Sequence, residues 1–137
     1  MITNSYSKNY KINGTAYIET KDIPFSKKEI SDLGKYCKEV NKEFIEIGDA
    51  GETNNLMVGR FMTDKEKPII VNNNFSLKLL EILNKDVVIN LIKEILNLKN
   101  KIYYRRVQYN QINENNFVGY HLDTDSNPDY IAACVIQ

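Results

Sequence analysis

The chain contains a single histidine, His121, and an aspartate follows it two residues later in the run Tyr120-His121-Leu122-Asp123. On an extended strand successive side chains alternate between faces, so His121 and Asp123 would point the same way and could share one metal ion. An imidazole and a carboxylate are two of the three ligands of a 2-His-1-carboxylate facial triad, which holds Fe(II) with open positions. The spacing therefore predicts a metal site whose third ligand is not apparent in the sequence.

Two other interpretations of the same segment remain open. His121 could simply be a hydrogen-bonded strand residue. A calcium loop is disfavoured because Pro128 stands where an EF-hand needs glycine, and Cys134 where it needs a bidentate glutamate. The alternating residues that resemble the start of such a loop are Asp123, Asp125, Asn127 and Asp129.

Two stretches ahead of this motif have helical periodicity. In the first, Ser26 offers an N-cap and Glu29 completes a capping box. Its apolar residues at spacings of three and four are Ile30, Leu33, Cys37, Val40 and Phe44. The second runs from about residue 74 to residue 98 and is expected to break into two helices near residues 84–86.

The rest of the chain is predicted to form loops and strands. Residues 1–25 read as irregular with a short strand at 15–19, and residues 47–70 read as a long loop because of their glycines, polar clusters and Pro68. Beyond residue 100 the period changes to two. The strands predicted there are Lys101 to Asn110, Tyr120 to Asp123 and Tyr130 to Gln137, with a polar turn at residues 111–118 and a loop through Asn127 and Pro128.

The composition restricts the class of protein. Lys plus Arg and Asp plus Glu both number 18, so no large electrostatic term favours nucleic acid or an anionic membrane. No apolar stretch approaches the length of a membrane span, and the N-terminus lacks a secretory apolar region, which predicts a cytoplasmic protein. Cys37 and Cys134 lack metal-ligand spacing and are expected to be buried thiols.

The stretch from Arg105 to Gln137 resembles the first half of the double-stranded β-helix of 2-oxoglutarate and Fe(II)-dependent oxygenases, in particular their prolyl-hydroxylase-like branch. The matching features are a strand ending in Tyr109, a polar turn, the aromatic-flanked H-x-D motif, an Asn-Pro loop and an apolar strand from Tyr130. The resemblance implies an α+β fold, jelly-roll or cupin-like, in one domain. Residues 1–100 would be a helical support region and residues 101–137 the first strands of the barrel.

The resemblance also implies a function and its site residues. His121 and Asp123 would bind Fe(II) together with a distal histidine, and 2-oxoglutarate and O2 would be co-substrates, with ascorbate as an optional addition. Tyr109 and Gln137 would contact 2-oxoglutarate, and Arg105 and Arg106 are the candidates for binding substrate. The expected reaction is hydroxylation of a C–H bond in a protein residue or a small molecule, by a dioxygenase of the oxidoreductase class.

The chain stops within the predicted apolar strand at Gln137. An uncapped apolar edge invites aggregation, so we expect the C-terminal half of the barrel to be missing and activity to need residues beyond Gln137. On this basis residues 1–137 alone should bind iron poorly. The alternatives are a non-catalytic binding module with an incomplete barrel and a different small metalloprotein such as a cupin, which would normally show more than one histidine.

Overall fold

The fold combines α-helices with an antiparallel sheet. The computed structural model describes the backbone of residues 2–137 and the side chains of residues 5–137. The helices are α1 Ile2–Asn13, α2 Lys27–Glu39, α3 Asn73–Leu83, α4 Asp86–Leu96 and the one-turn α5 Asp123–Ser126, with a 3-10 turn at Thr20–Asp22. The strands are β1 Lys42–Ile47, β2 Thr53–Asp64, β3 Pro68–Ile70, β4 Val107–Gln111 and β5 Phe117–Val118.

The sheet is organised around β2, with which each of the other four strands pairs antiparallel. Residues 57–59 of β2 pair with both β1 and β4, so these two strands lie on opposite edges of β2. β3 pairs near the end of β2, where Met62 faces Ile70, and β5 near its start, where Asn54 faces Val118. The start of β2 therefore lies beside the chain segment that leads to the H-x-D motif.

The buried face of β2 changes part-way along the strand. Asn54, Leu56 and Val58 are buried in alternation, but the next large buried side chain is Phe61. The ladder with β4 shifts register between Arg60 and Met62, which inserts one extra residue into β2. Such a β-bulge moves the following side chains to the other face.

The chain divides into two compact units. One comprises the chain up to residue 35 and residues 78–103, and its buried apolar side chains come from helices: Tyr6, Leu33, Leu79, Leu80, Leu83, Val88 and Ile95. The other comprises residues 36–77 and 104–137, contains all five strands and α5, and buries Val40, Leu56, Val58 and Phe61. The candidate metal ligands belong to this second unit.

The predicted helices are confirmed with some changes of boundary. Ser26 and Glu29 form the capping box, since the Ser26 N–H donates to Glu29 Oε2 at 2.8 Å and the Glu29 N–H donates to Ser26 Oγ at 3.3 Å. α2 ends at Glu39, so Phe44 lies in β1 rather than on the helix. The second helical region is two helices, α3 and α4, separated at residues 84–85.

Three predictions about the first 70 residues are wrong. The N-terminal stretch forms α1, which packs against α4, and Tyr6 Oη donates to Asp22 Oδ2 at 2.6 Å. This helix is stabilised by tertiary packing rather than by a strong apolar stripe. Residues 15–19 are not a strand, and residues 47–70 contain β2 and β3 instead of forming a loop.

The strands predicted after residue 100 are shorter or absent. The first one is predicted from Lys101 to Asn110, whereas β4 begins only at Val107 and ends at Gln111. Residues 120–122 and 130–137 have no regular structure. No strand in the described residues pairs with either segment, and an extended segment without a hydrogen-bonded neighbour is not a stable strand. Cys37 and Cys134 are both free thiols, but Cys37 is only partly buried and Cys134 is exposed, which corrects the expectation that both are buried.

No helix among the described residues is long and apolar enough to cross a membrane.

Candidate metal centre

His121 and Asp123 lie close together, although not on a strand. His121 is in the irregular stretch after β5, and Asp123 is the first residue of α5. The distance from His121 Nε2 to Asp123 Oδ1 is 3.7 Å. Divalent ions bind nitrogen and oxygen donors at about 2.0–2.2 Å, so two donors of one ion can be at most about 4.4 Å apart. The separation is therefore one that a single ion can bridge.

A backbone contact determines which ring nitrogen of His121 is available. Nδ1 lies 2.9 Å from the Gly119 carbonyl oxygen. A carbonyl oxygen only accepts, so in this hydrogen bond Nδ1 carries the proton. In the neutral ring Nε2 then has a lone pair and lies 3.7 Å from the Asp123 carboxylate, which is the arrangement a metal-binding histidine needs.

Glu52, in the turn before β2, is a second carboxylate beside the histidine. Its Oε1 lies 3.9 Å from His121 Nδ1, and its side chain is almost fully buried. The carboxylate accepts hydrogen bonds from Asn54 Nδ2 at 2.9 Å and from the Ala50 N–H at 3.1 Å. Burial alone would raise the pKa of Glu52, yet these hydrogen bonds and the nearby His121 bring it below its ordinary value.

A third protein ligand is not present among the described residues, which contain no group of three His, Cys, Asp or Glu side chains able to hold a metal ion. Asp125 Oδ2 accepts the Leu122 N–H at 3.0 Å and so caps α5. Asp129 lies 3.7 Å from the guanidinium of Arg105. The acidic residues of the EF-hand alternative are therefore spread over a helix turn and an ion pair and do not converge on one point.

The two arginines predicted to bind substrate both have partners within the chain. Arg105 Nε donates to Asp64 Oδ2 at 2.8 Å, and Arg106 lies 3.4 Å from Asp49 Oδ2 and hydrogen-bonds Ser126. The hydrogen bond from Arg105 lowers the pKa of the buried Asp64 carboxyl, outweighing the opposite effect of burial. A substrate role for either arginine stays a prediction.

The residues predicted to contact 2-oxoglutarate lie on different parts of the second unit. Tyr109 is half-buried on β4, and Lys42 Nζ is 5.7 Å from the centre of its ring. Gln137 is exposed in the irregular C-terminal segment. Their roles also stay predictions.

The contribution of β2 to this centre is not among the features predicted from the sequence. Asn54 is buried, and its Oδ1 accepts the N–H of Gly119 at 3.0 Å. A usable signal was the alternation of Asn54 with Leu56 and Val58, which places a polar residue on the apolar face of a strand. The bulge at Phe61 interrupts that alternation and concealed the strand.

Comparison with known proteins supports the class of fold. No protein-family model matches the sequence, and no curated protein matches it. The structure, however, is similar to the crystal structure of an oxidoreductase of the 2OG-Fe(II) oxygenase family from Burkholderia pseudomallei, with a TM-score of 0.83 and 25% sequence identity. The similarity covers 93% of this chain and 60% of that chain.

The resemblance to 2-oxoglutarate and Fe(II)-dependent oxygenases is thereby confirmed by a structural neighbour. This chain has a mixed helical and antiparallel-sheet fold similar to that of an oxygenase-family oxidoreductase, and it spans 60% of that protein's length. The prolyl-hydroxylase-like branch stays a prediction.

Proposed function

We propose that this chain is part of an Fe(II)- and 2-oxoglutarate-dependent oxygenase that hydroxylates a C–H bond of a protein residue or a small molecule. The observation that carries the proposal is the pairing of His121 Nε2 with Asp123 Oδ1 at 3.7 Å. It occurs in a fold similar to that of an oxidoreductase of the 2OG-Fe(II) oxygenase family. Neither the pairing nor the similarity would be as informative alone.

The donor set fits Fe(II). A neutral imidazole nitrogen and a carboxylate oxygen are the ligand types of the facial triad, and the hydrogen bond from Nδ1 to Gly119 leaves Nε2 free to bind. His121 and Asp123 would hold the metal, with a third donor from outside residues 2–137. When bound, iron and 2-oxoglutarate supply the oxidative chemistry, namely the activation of O2 for insertion into a C–H bond.

The protein's part in this proposal is to bind and orient. The Gly119 carbonyl orients the imidazole, and the cap formed by Asp125 determines where α5 begins and hence where the Asp123 carboxylate lies. Glu52 places a negative charge behind His121, which favours electron donation by the ring to a cation. In the same proposal Tyr109 and Gln137 contact 2-oxoglutarate, and ascorbate acts as an auxiliary reductant.

The remainder of the proposed architecture follows from the structural similarity. β2 and the four strands that pair antiparallel with it would form part of a double-stranded β-helix, and the rest of the barrel would come from outside residues 2–137. The longer neighbour supports this proposal, because this chain spans only 60% of it. A cytoplasmic location is part of the same proposal.

The metal site can be tested with the chain as it is, because its only histidine gives an unambiguous signal. Mn(II), a paramagnetic substitute for Fe(II), is titrated into protein labelled with ¹⁵N-histidine. We expect weak binding, since two protein donors leave most of the ion solvated, with selective broadening of the His121 resonances.

Two variants complete this test. Asp123→Ala should abolish the selective broadening, because it removes one of the two donors. Asp129→Ala removes an exposed carboxylate that lies near Arg105 instead of His121 and should leave the broadening unchanged. Broadening that persists undiminished in Asp123→Ala, or none in the unaltered chain, would overturn the proposal. In a preparation that supplies the third donor, 2-oxoglutarate and O2 should be converted to succinate and CO2 in the presence of Fe(II) and ascorbate, and the Asp123→Ala variant should not carry out this conversion.

A further inference from the structure

The two candidate ligands lie on a stretch with little regular structure of its own. Residues 119–127, which we call the ligand segment, run from the end of β5 to the residue after α5 and contain only the single turn of α5. The peptide groups of such a segment make few repeating hydrogen bonds. Its geometry must therefore come from contacts with other parts of the chain.

The strand β2 supplies buried polar side chains near both of its ends. Asn54 is 7% exposed and Asp64 is 5% exposed, and both lie on a strand whose other buried residues are apolar or glycine. A buried amide or carboxylate is costly unless it is hydrogen-bonded. Both side chains meet this requirement by bonding the ligand segment.

Asn54 holds the beginning of the ligand segment. Its Oδ1 accepts the N–H of Gly119 at 3.0 Å, and its Nδ2 donates to Glu52 Oε1 at 2.9 Å. The carbonyl of the same glycine receives His121 Nδ1 at 2.9 Å. Asn54 is thus connected to the imidazole through the backbone of one residue.

Asp64 holds the end of the ligand segment. Its Oδ2 accepts Asn127 Nδ2 at 3.0 Å, and Asn127 is the residue directly after α5. The same carboxylate is held in place by Arg105 Nε at 2.8 Å. The side chain of Asp64 is completely inaccessible to solvent, so these bonds are not in competition with water.

We propose that Asn54 and Asp64 are positioning residues that hold the two ends of the ligand segment, and that Asn54, through Gly119, selects the Nδ1–H tautomer of His121. The proposal rests on the proposed function in one respect, which is that His121 Nε2 is a metal donor. In water a neutral histidine side chain favours the other tautomer, in which Nε2 carries the proton and cannot bind a metal. Selection of the Nδ1–H form before the metal arrives would therefore increase affinity.

The alternative to this proposal is that Asn54 and Asp64 only stabilise the fold. A matched control variant at another buried polar residue separates the two roles. Ser76 is the third buried polar residue among the residues that the structure describes, and its hydroxyl donates to the Val71 carbonyl just before α3. Ser76→Ala removes a buried hydrogen bond without touching the ligand segment. It should lower stability but leave the imidazole unchanged.

The experiment measures the tautomer of His121 in metal-free protein from the ¹⁵N shifts of its two ring nitrogens at a pH where the ring is neutral. The unaltered chain should show a protonated Nδ1 and an unprotonated Nε2. Asn54→Ala should shift the population towards the Nε2–H form and weaken Mn(II) binding by about 10- to 100-fold. Asp64→Asn should weaken Mn(II) binding but keep the tautomer, since it acts at the far end of the segment.

Several results would overturn the inference. One is an Nε2–H tautomer in the unaltered chain, which needs no variant to observe. Another is an equal tautomer shift in Asn54→Ala and Ser76→Ala, which would show that the shift follows from a general loss of stability and not from the loss of the Asn54 hydrogen bond. If Asn54→Ala fails to fold, the double variant Asn54→Asp with Glu52→Gln keeps an acceptor for the Gly119 N–H and a donor between the two side chains, so it should keep the tautomer. Loss of the tautomer in that folded variant would contradict the proposal. Failure of Mn(II) to bind while the tautomer behaves as expected would count against the proposed function alone.

Discussion

Gly119 shows how much of the candidate centre depends on one backbone position. Its N–H and its carbonyl are both engaged, by Asn54 and by His121. A Cβ atom at this residue would lie 2.2 Å from the Thr53 carbonyl oxygen, far inside van der Waals contact. Only glycine allows the two backbones to approach this closely, so the position of His121 depends on the absence of a side chain two residues earlier.

The first prediction compares two glycine-to-alanine changes. Gly119→Ala should lower the free energy of unfolding by at least about 1–3 kcal/mol, because backbone atoms of Thr53 must move. Gly34→Ala should raise it by about 0.5–1 kcal/mol, because Gly34 is exposed within α2 and a Cβ there meets nothing within 4 Å. Urea denaturation measures both. Equal effects of the two changes would contradict the close approach at Gly119.

The sequence allowed the proximity of His121 and Asp123 to be predicted, but for the wrong reason, and their role as metal ligands stays a prediction. His121 and Asp123 were expected to share a strand face, whereas their proximity arises because α5 begins at Asp123 and turns its carboxylate back towards the ring. Neither the Nδ1 contact nor the burial of Glu52 could be predicted. Both depend on the pairing of β5 with the start of β2, residues about 65 positions apart in the chain.

Among the elements, β2 determines the arrangement of the second unit. It pairs with four strands, and its polar residues near both ends hold the ligand segment. The sequence of this strand predicts a loop because the bulge near Phe61 breaks its alternation, and because Asn54, Asn55 and Arg60 interrupt its apolar residues. Helices α2, α3 and α4 were predicted because their apolar periodicity is uninterrupted and a capping box marks the start of α2.

The second prediction tests this view of β2 with two phenylalanines of the same sheet. Phe61 is 1% exposed on β2, and Phe44 is 53% exposed on β1. Phe61→Ala should reduce the free energy of unfolding by about 3–5 kcal/mol through lost burial and a cavity. Phe44→Ala should cost no more than about 1 kcal/mol. Chemical denaturation of the two variants decides the matter, and a larger loss for Phe44→Ala would mean that the buried face of the sheet is wrongly assigned.

For the molecule as a whole, the zero net charge and the exposed apolar surface both favour association between chains. The formal net charge is zero and the sequence pI is about 6.6, so electrostatic repulsion between copies is weak near neutral pH. The last seven residues are all exposed and include Ile131, Val135 and Ile136. An exposed apolar segment with unpaired backbone groups is a site for association between chains.

The third prediction is that the chain self-associates through this C-terminal segment at neutral pH. Val135→Lys should shift the sedimentation profile towards the monomer, because it interrupts the apolar segment with a charge. Ile12→Lys is the matched control, since Ile12 is also exposed but lies on α1 and the substitution adds the same charge. Sedimentation velocity over a range of concentrations measures the difference. The two variants add the same charge and differ only in where the new charge lies. If both restore the monomer equally, association is controlled by the net charge and not by the C-terminal segment, which would contradict the prediction.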